Sequence, residues 1–480
     1  MTHSMSFKKA VLKVFLLICA LQCSLNCNAQ TEEEEYNDVE LSEIKFLNLV
    51  KKEHPIVKQA NLLIDRGDAK LRTARGNFDP QFYGQLDQKY FDDKTYYSLL
   101  QSGLKVPTWF GITLDAGIED NRGTQLNPED LTPAPDLWHA GISVPLAQGL
   151  FLDKRRAELK KAKIFQELTK AERTLLINEV LLEASTAYWD WYSAYYKLSV
   201  VTQALENAQL RLDGVIQSAI RGDKPYIDTL EATIQVQTRL SNQLEADLEL
   251  RNKRQFLETF LWANGIVPLE LKEGTRPPEL NASDVTLVSP EVLTRMDSLT
   301  VLHPKLNAYR SELAMALVDV RLKRQYLLPK VDLKYNALTF AADRSDLLTN
   351  YSMNNYNWGL KVNLPLFLRR ERGELKMANI KQKELDFKFK NEIAQVNYKA
   401  QVALNKLDVS RQQVNLYEET VENYQLLYDS EVFLFGLGES SLFLVNSREK
   451  SWLDAQIKLV SLQAKNRISN AELNYHLATF

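Results

Sequence analysis

Two periodicities divide the chain. Apolar residues alternate with polar ones at Phe82, Gly84 and Leu86, and again at Trp138, Ala140, Ile142, Val144 and Leu146. The same alternation returns at Val331, Leu333 and Tyr335, then at Trp358, Leu360, Val362, Leu364 and Leu366. Period two with one apolar face is the signature of a strand. A further alternating pair, Leu100, Ser102, Leu104 and Val106 against Ile112, Leu114, Ala116 and Ile118, turns at residues 107–111 and predicts an extra hairpin. Elsewhere the spacing is seven: Leu168, Leu175, Leu182, Trp189 and Tyr196 form one row, and Phe389, Val396, Ala403, Ser410 and Tyr417 another, with Ile393, Ala400, Leu407 and Val414 beside it. These rows are coiled-coil seams. Several seam positions are small or polar, which suits helices packed on both sides in a curved wall.

Neither proline nor glycine occurs in the 64 residues between Gly149 and Gly214, or in the 62 between Gly373 and Gly436. At a rise of 1.5 Å per residue each helix could run roughly 90 Å. A second helix is expected after each, over 226–264 and 441–480, so that each long helix ends in an antiparallel hairpin. Shorter helical regions, 44–75 and 292–326, precede the strands.

Landmarks recur in order. His54-Pro55 and the Phe78–Phe82 stretch return as His303-Pro304 and Leu327–Val331, 249 positions later. Trp138–Leu146 returns as Trp358–Leu366 at an offset of 220, and Gly222-Asp223 as Gly438-Glu439 at 216. The chain is therefore a tandem duplication. The drop from 249 to 220 locates about 29 extra residues between the strands of the first copy, where the extra hairpin lies. The organisation expected is a leader over 1–29, an acidic tail over 30–40, a first repeat over 41–265, a linker over 266–289 and a second repeat over 290–480.

Composition narrows the class. With 17 glycines and 15 prolines in 480 residues, the chain is poor in the residues that turn-rich β folds and doubly wound nucleotide folds need. Lys8, Lys9 and Lys13 flank an apolar run over 10–21, and Cys27-Asn28-Ala29 supplies small residues, so a secretory leader cut after Ala29 is expected. No small-residue box precedes Cys19, Cys23 or Cys27, which disfavours a lipid anchor. All three cysteines leave with the leader, excluding disulfides, thiolate metal sites and cysteine nucleophiles from the mature chain. Its net charge moves from −3 to −6, which gives no basic footprint for nucleic acid. Beyond the leader no apolar stretch approaches the roughly 18 residues of a membrane helix, so membrane entry would have to use strands.

This ordered plan resembles the TolC family of outer-membrane efflux channels over nearly all of the mature sequence. The likeness rests on the strand-to-helix passages ending in Val144-Pro145-Leu146 and Leu364-Pro365-Leu366, and on the reversals Gly222–Ala232 and Gly436–Ser441. The resemblance implies a mainly α fold with membrane β: a duplicated chain, assembled as a homotrimer, with an α-helical periplasmic barrel joined to an outer-membrane β-barrel. It implies a passive exit duct of a tripartite efflux or type I secretion system, working with a periplasmic adaptor and an inner-membrane transporter in a Gram-negative envelope. Physics points to the same assembly, since one chain has too few strands to close a barrel in lipid. Ser143, Asn363, Lys361 and His139 would line the wet pore, with Trp138 and Trp358 near a membrane interface. The family's usual count leaves four strands per chain, with the extra hairpin folded against the equator, and that placement is favoured over six. The rival reading is an exported coiled-coil scaffold or adaptor of the periplasm without a pore.

The resemblance places adaptor docking at the tips, Gly222, Asp223, Lys224, Gly436, Leu437, Gly438, Glu439 and Ser440. It suggests a periplasmic constriction at Asp228 and Glu231, six and nine positions after a tip glycine, although Leu444 and Ser447 stand there in the second copy. The bland alternative makes both first-turn carboxylates complementing a helix dipole. His54 and His303 read as helix breaks before proline, and the aromatic run 188–196 as helix packing. No phosphate loop, metal-ligand spacing or catalytic triad rises above chance, so no enzyme and no cofactor is expected.

Overall fold

Helix α1 spans Glu43–Glu53 and α2 Pro55–Gly76. Strands β1 (Gln81–Phe91), β2 (Lys94–Pro107), β3 (Thr113–Arg122) and β4 (Leu137–Pro145) follow, then helices α3 (Lys154–Ile220) and α4 (Tyr226–Glu258). Two short strands, β5 (Trp262–Ala263) and β6 (Val267–Pro268), close the first copy. The second comprises α5 (Pro304–Gln325), β7 (Lys330–Thr339), β8 (Tyr356–Asn363), α6 (Arg369–Leu437) and α7 (Leu442–Leu477). The computed structural model describes residues 40–132, 136–280, 296, 298–340 and 352–480. The leader, its cysteines and the acidic run lie outside them.

The histidine–proline pairs do more than break a helix. His54 and His303 are both extended N-caps, and each imidazole Nδ1 accepts a backbone N–H two residues on, from Ile56 at 3.3 Å and Lys305 at 3.2 Å. Proline at the first helical position needs no such partner, so the histidine serves the next free donor. An imidazole can accept only while neutral. Burial lowers the pKa of both, that of His303 to about 4, with the charge of Lys305 adding to the effect and a hydrogen bond to the His476 backbone opposing it.

Six strands form one antiparallel sheet in the order β1-β2-β3-β4-β7-β8. The two copies meet at the β4–β7 ladder, from Trp138↔Thr339 to Pro145↔Asp332. The expectation that the extra hairpin folds against the equator is therefore corrected. Hairpin β2–β3 does not fold back against the helices but pairs on one side with β1 and on the other with β4. Its backbone donors and acceptors are satisfied only there, since an unpaired ladder costs free energy wherever water is excluded.

The long helices overrun the glycines that seemed to bound them. α3 carries Gly214 inside it and α6 carries Gly373 and Gly436, at sites where an added Cβ would meet nothing within 4 Å. An open-faced glycine costs only about 1 kcal/mol relative to alanine, which long flanking turns absorb. In contrast α4 stops before the expected Asn264. Asn264 and Gly265, at φ 54° and 70°, make the tight turn between β5 and β6, closed by Ile266 N–H to the Ala263 carbonyl at 3.1 Å.

Helix α3 is the centre of the packing and touches α1, α2, α4, α5 and α7. Tyr188, Trp189, Trp191 and Tyr192 are buried along it, so the aromatic run is packing, as its spacing suggested. Phe46 of α1 stacks on Tyr188 at 5.8 Å, and Glu43 accepts from Ser185 at 2.6 Å and from the Trp189 indole at 2.9 Å. The middle of the second seam is buried, at Val396, Ala400, Ala403, Leu407, Ser410 and Val414, while Phe389, Ile393 and Tyr417 at its ends are only partly buried. A separate small unit joins residues 40–42 to 271–279, where Arg276 pairs with Glu40 at 2.9 Å and its carbonyl accepts from Leu41 N–H.

Candidate functional site: helix reversals and a two-faced sheet

Both long hairpins reverse through the same backbone motif. At the first, Asp223 N–H donates to the Ser218 carbonyl at 2.9 Å and Gly222 N–H to Ala219 at 3.0 Å. At the second, Glu439 N–H donates to Leu434 at 3.0 Å and Gly438 N–H to Phe435 at 3.1 Å. Each pair closes an α-helix C-terminus through a residue with positive φ, Gly222 at 80° and Gly438 at 79°, which is why glycine stands there. Gly436 is helical and has no such duty. Pro225 and Ser441 then start the return helices, Ser441 Oγ accepting from Leu444 N–H.

The structure brings the two tips together. Lys224 sets its ammonium 3.2 Å from the centre of the Phe435 ring, and Val215, Ala232 and Leu442 form a buried cluster beneath. Burial lowers the Lys224 pKa, against the opposing charge of Asp228. Asp228 lies in the first turn of α4, half-buried. Glu231 does not: it stands beyond that turn and accepts a hydrogen bond from Asn446 at 3.1 Å. The helix-dipole account thus fits Asp228 but not Glu231. Arg221 pairs at the exposed surface with Asp223 at 3.3 Å, and Ser440 hydroxyl donates to Glu431.

Behind Glu231 lies a charged network that the sequence did not disclose. Arg211 on α3 donates to both oxygens of Glu449 on α7, at 2.8 and 3.1 Å, to Asn446 at 3.0 Å and to Tyr428 of α6 at 2.9 Å. Arg239 of α4 reaches the same carboxylate at 3.5 Å. Glu449 is 2% exposed. Burial works against the Arg211 charge, but bidentate pairing with Glu449 outweighs it and its pKa is raised. All four long helices are held by this one carboxylate and its partners, within about four helical turns of the reversals. The only sequence signal was a pair of polar residues, Asn446 and Glu449, three apart on a packed helix face.

The sheet has one face of each kind. Phe82, Leu104, Leu114, Ile142, Trp358 and Leu360 are exposed on one side. On the other stand Lys105, Asp115, His139, Lys334, Asn336 and Lys361, with Ser143, as the period-two reading required. Room on that polar face is made by glycine. A Cβ on Gly103 would come within 2.7 Å of the Tyr83 hydroxyl, one on Gly117 within 2.9 Å of the His139 ring, and one on Gly141 within 2.1 Å of Asn336. Tyr83 thereby reaches across a strand to donate to Asp115 at 3.2 Å, while His139 bonds the same oxygen at 2.8 Å. Among the described residues no group of three His, Cys, Asp or Glu side chains could hold a metal, and no helix is long and apolar enough to cross a membrane.

Comparison with known proteins agrees with this architecture. Residues 296–478, the second copy, match the family model described as outer membrane efflux protein. The chain superposes on the Campylobacter jejuni CmeC outer membrane channel with a TM-score of 0.63 at 14% identity, over 91% of this chain and 86% of that one. VceC of Vibrio cholerae gives 0.63 at 14% over 91% and 96%, and the open-state MtrE channel of Neisseria gonorrhoeae 0.64 at 13% over 91% and 88%. No curated protein matches by sequence. The resemblance to TolC-like channels, the fold class and the outer-membrane location read from the sequence stand with these findings.

Proposed function

We propose that the protein is a homotrimeric outer-membrane channel, the passive exit duct of a tripartite efflux or type I secretion system. The observation that carries this reading is the sheet: one exposed apolar face, one polar face, and two edge strands, β1 and β8, with no second neighbour among the described residues. An open edge leaves a row of backbone donors and acceptors without partners, which hydrocarbon does not tolerate, so closure has to come from further copies. The family match and the likeness to efflux channels support the same conclusion. Helix α6 favours it too, because Phe387, Tyr398, Leu416 and Phe433 are exposed along a helix that packs mainly on α5 and α7 among the described residues.

In this reading the pump partner supplies energy and cargo choice. The tips Gly222–Lys224 and Gly436–Ser440 take the periplasmic adaptor, and Asp228 with Glu231 narrows the resting tunnel. Three copies of two carboxylates near one axis repel unless cations or Lys224 offset them, so the closed tip favours cations. The deciding measurement is the size and membrane fraction of the mature protein in mild detergent. A membrane-bound trimer is expected; a monomer free in the periplasm at native expression would overturn the proposal.

A further inference from the structure

We infer that hairpin β2–β3 is a barrel-widening insertion, so that each chain lends six strands rather than four to the membrane wall; this rests on the channel reading above. Strand direction supplies the first argument. An inserted hairpin adds one strand each way, so β1 and β4 keep the opposed directions that their repeat-equivalents β7 and β8 have as direct neighbours. Nothing in the parent fold has to change to admit it.

Length and face agree. β2 has 14 residues and β3 10, against 9 for β4 and 10 for β7. Ten residues at about 3.4 Å each, tilted as in a barrel, reach the roughly 25 Å of an outer-membrane apolar band. Leu104 pairs between Phe82 and Ala116 on the apolar face, and Lys105 between Gln81 and Asp115 on the polar one. Both faces of the parent sheet therefore run through the hairpin without a break.

The polar face also stitches the hairpin in place. Tyr83 on β1 and His139 on β4 lie over Gly103 and Gly117 of the hairpin and meet at Asp115 between them. Asp115 and His139 are 6% and 7% exposed, so peeling the hairpin away would strand a buried carboxylate and its imidazole partner. Since barrel diameter grows about linearly with strand number, six strands per chain in place of four enlarges the radius by roughly one half.

A mature chain without cysteine allows a direct test. Leu104→Cys and Ile118→Cys on the apolar face, and Gln101→Cys and Glu119→Cys on the polar face, are made singly in the mature protein, residues 30–480, reconstituted into phosphatidylcholine vesicles. Leu360→Cys and Lys361→Cys on β8 serve as the reference pair. Hairpin positions on the polar face should react with a water-soluble maleimide as Lys361→Cys does. Those on the apolar face should lose that labelling and, once carrying a fluorophore, be quenched by a lipid-borne nitroxide as Leu360→Cys is. Equal labelling of all four hairpin positions, with alternation kept on β8, would put the hairpin outside the membrane and overturn this inference alone. Loss of alternation on β8 as well would remove the channel reading and this inference with it.

Discussion

Helices α3 and α6 are repeat equivalents of nearly equal length, 67 and 69 residues, yet 22 side chains of α3 are buried and only six of α6. Composition does not account for the gap, because α6 carries its own large apolar residues and leaves them in the open. Position does. Among the described residues α3 packs along five helices and α6 mainly along two. Duplication copied a helix that expects neighbours on all sides, and in the second copy part of that surround is missing from the chain. The lesson is that a buried apolar residue on α3 reports on the fold of one chain, whereas an exposed one on α6 reports on the proposed assembly.

The sharpest way to break that contrast is truncation on each helix. Trp191→Ala, at a site 1% exposed, should cost about 3–5 kcal/mol and lower the thermal midpoint of the isolated chain. Phe387→Ala should leave that midpoint nearly unmoved while weakening the proposed trimer in chemical cross-linking. Equal effects on the monomer would end the distinction. Next in size is Glu449→Ala, which leaves Arg211 and Arg239 facing each other in a buried site and should cost about 3 kcal/mol, seen as early protease cleavage near the tips. Glu449→Gln should recover part of the loss.

The two capping histidines sharpen the comparison between copies by pH. His303 is held neutral with its pKa near 4, below the ordinary 6.5, so the unfolded chain takes up a proton first. Its contribution is complete above pH 6.5 and is lost as pH falls toward 4. Thermal midpoints should therefore slope upward with pH across that window. His303→Asn keeps a capping acceptor and should flatten the slope, leaving the remainder to His54 and His476, whose pKa values are also lowered by burial. The smallest effect is expected from Asp228→Ala: a reduction of cation selectivity in planar bilayers with the assembly unchanged. Glu231→Ala should in addition loosen the tip, because Asn446 loses its acceptor.

What the sequence disclosed was what repeats or alternates. Landmarks spaced alike in two copies gave the duplication, and period two gave every strand of the sheet, including β2 and β3. Where the hairpin sits was misjudged because local alternation says which residues share a face but not which strand lies alongside. The Glu449 network was missed for a related reason, since Arg211 and Glu449 are far apart in sequence and the Asn446–Glu449 spacing alone does not mark either charge as buried. Helix ends were blurred by glycine, which α3 and α6 tolerate on open faces and which ends a helix only when positive φ is required, as at Gly222 and Gly438.

The ladder between β4 and β7 sets an order of events. Its strands are separated by on the order of 190 residues, so joining them closes a very large loop, whereas each helical hairpin and the β1–β4 meander form from contacts close in sequence. While the chain emerges, the first four strands can pair early, but β7 and β8 have no place to dock until α5 has been made. The sheet is therefore completed only after the first helical hairpin is built, and its edges stay available to periplasmic chaperones or to wrong partners for the whole of that interval. A folding delay imposed between β4 and β7, by slowing synthesis of the intervening segment, should lengthen the lifetime of that open-edged species without altering the final product.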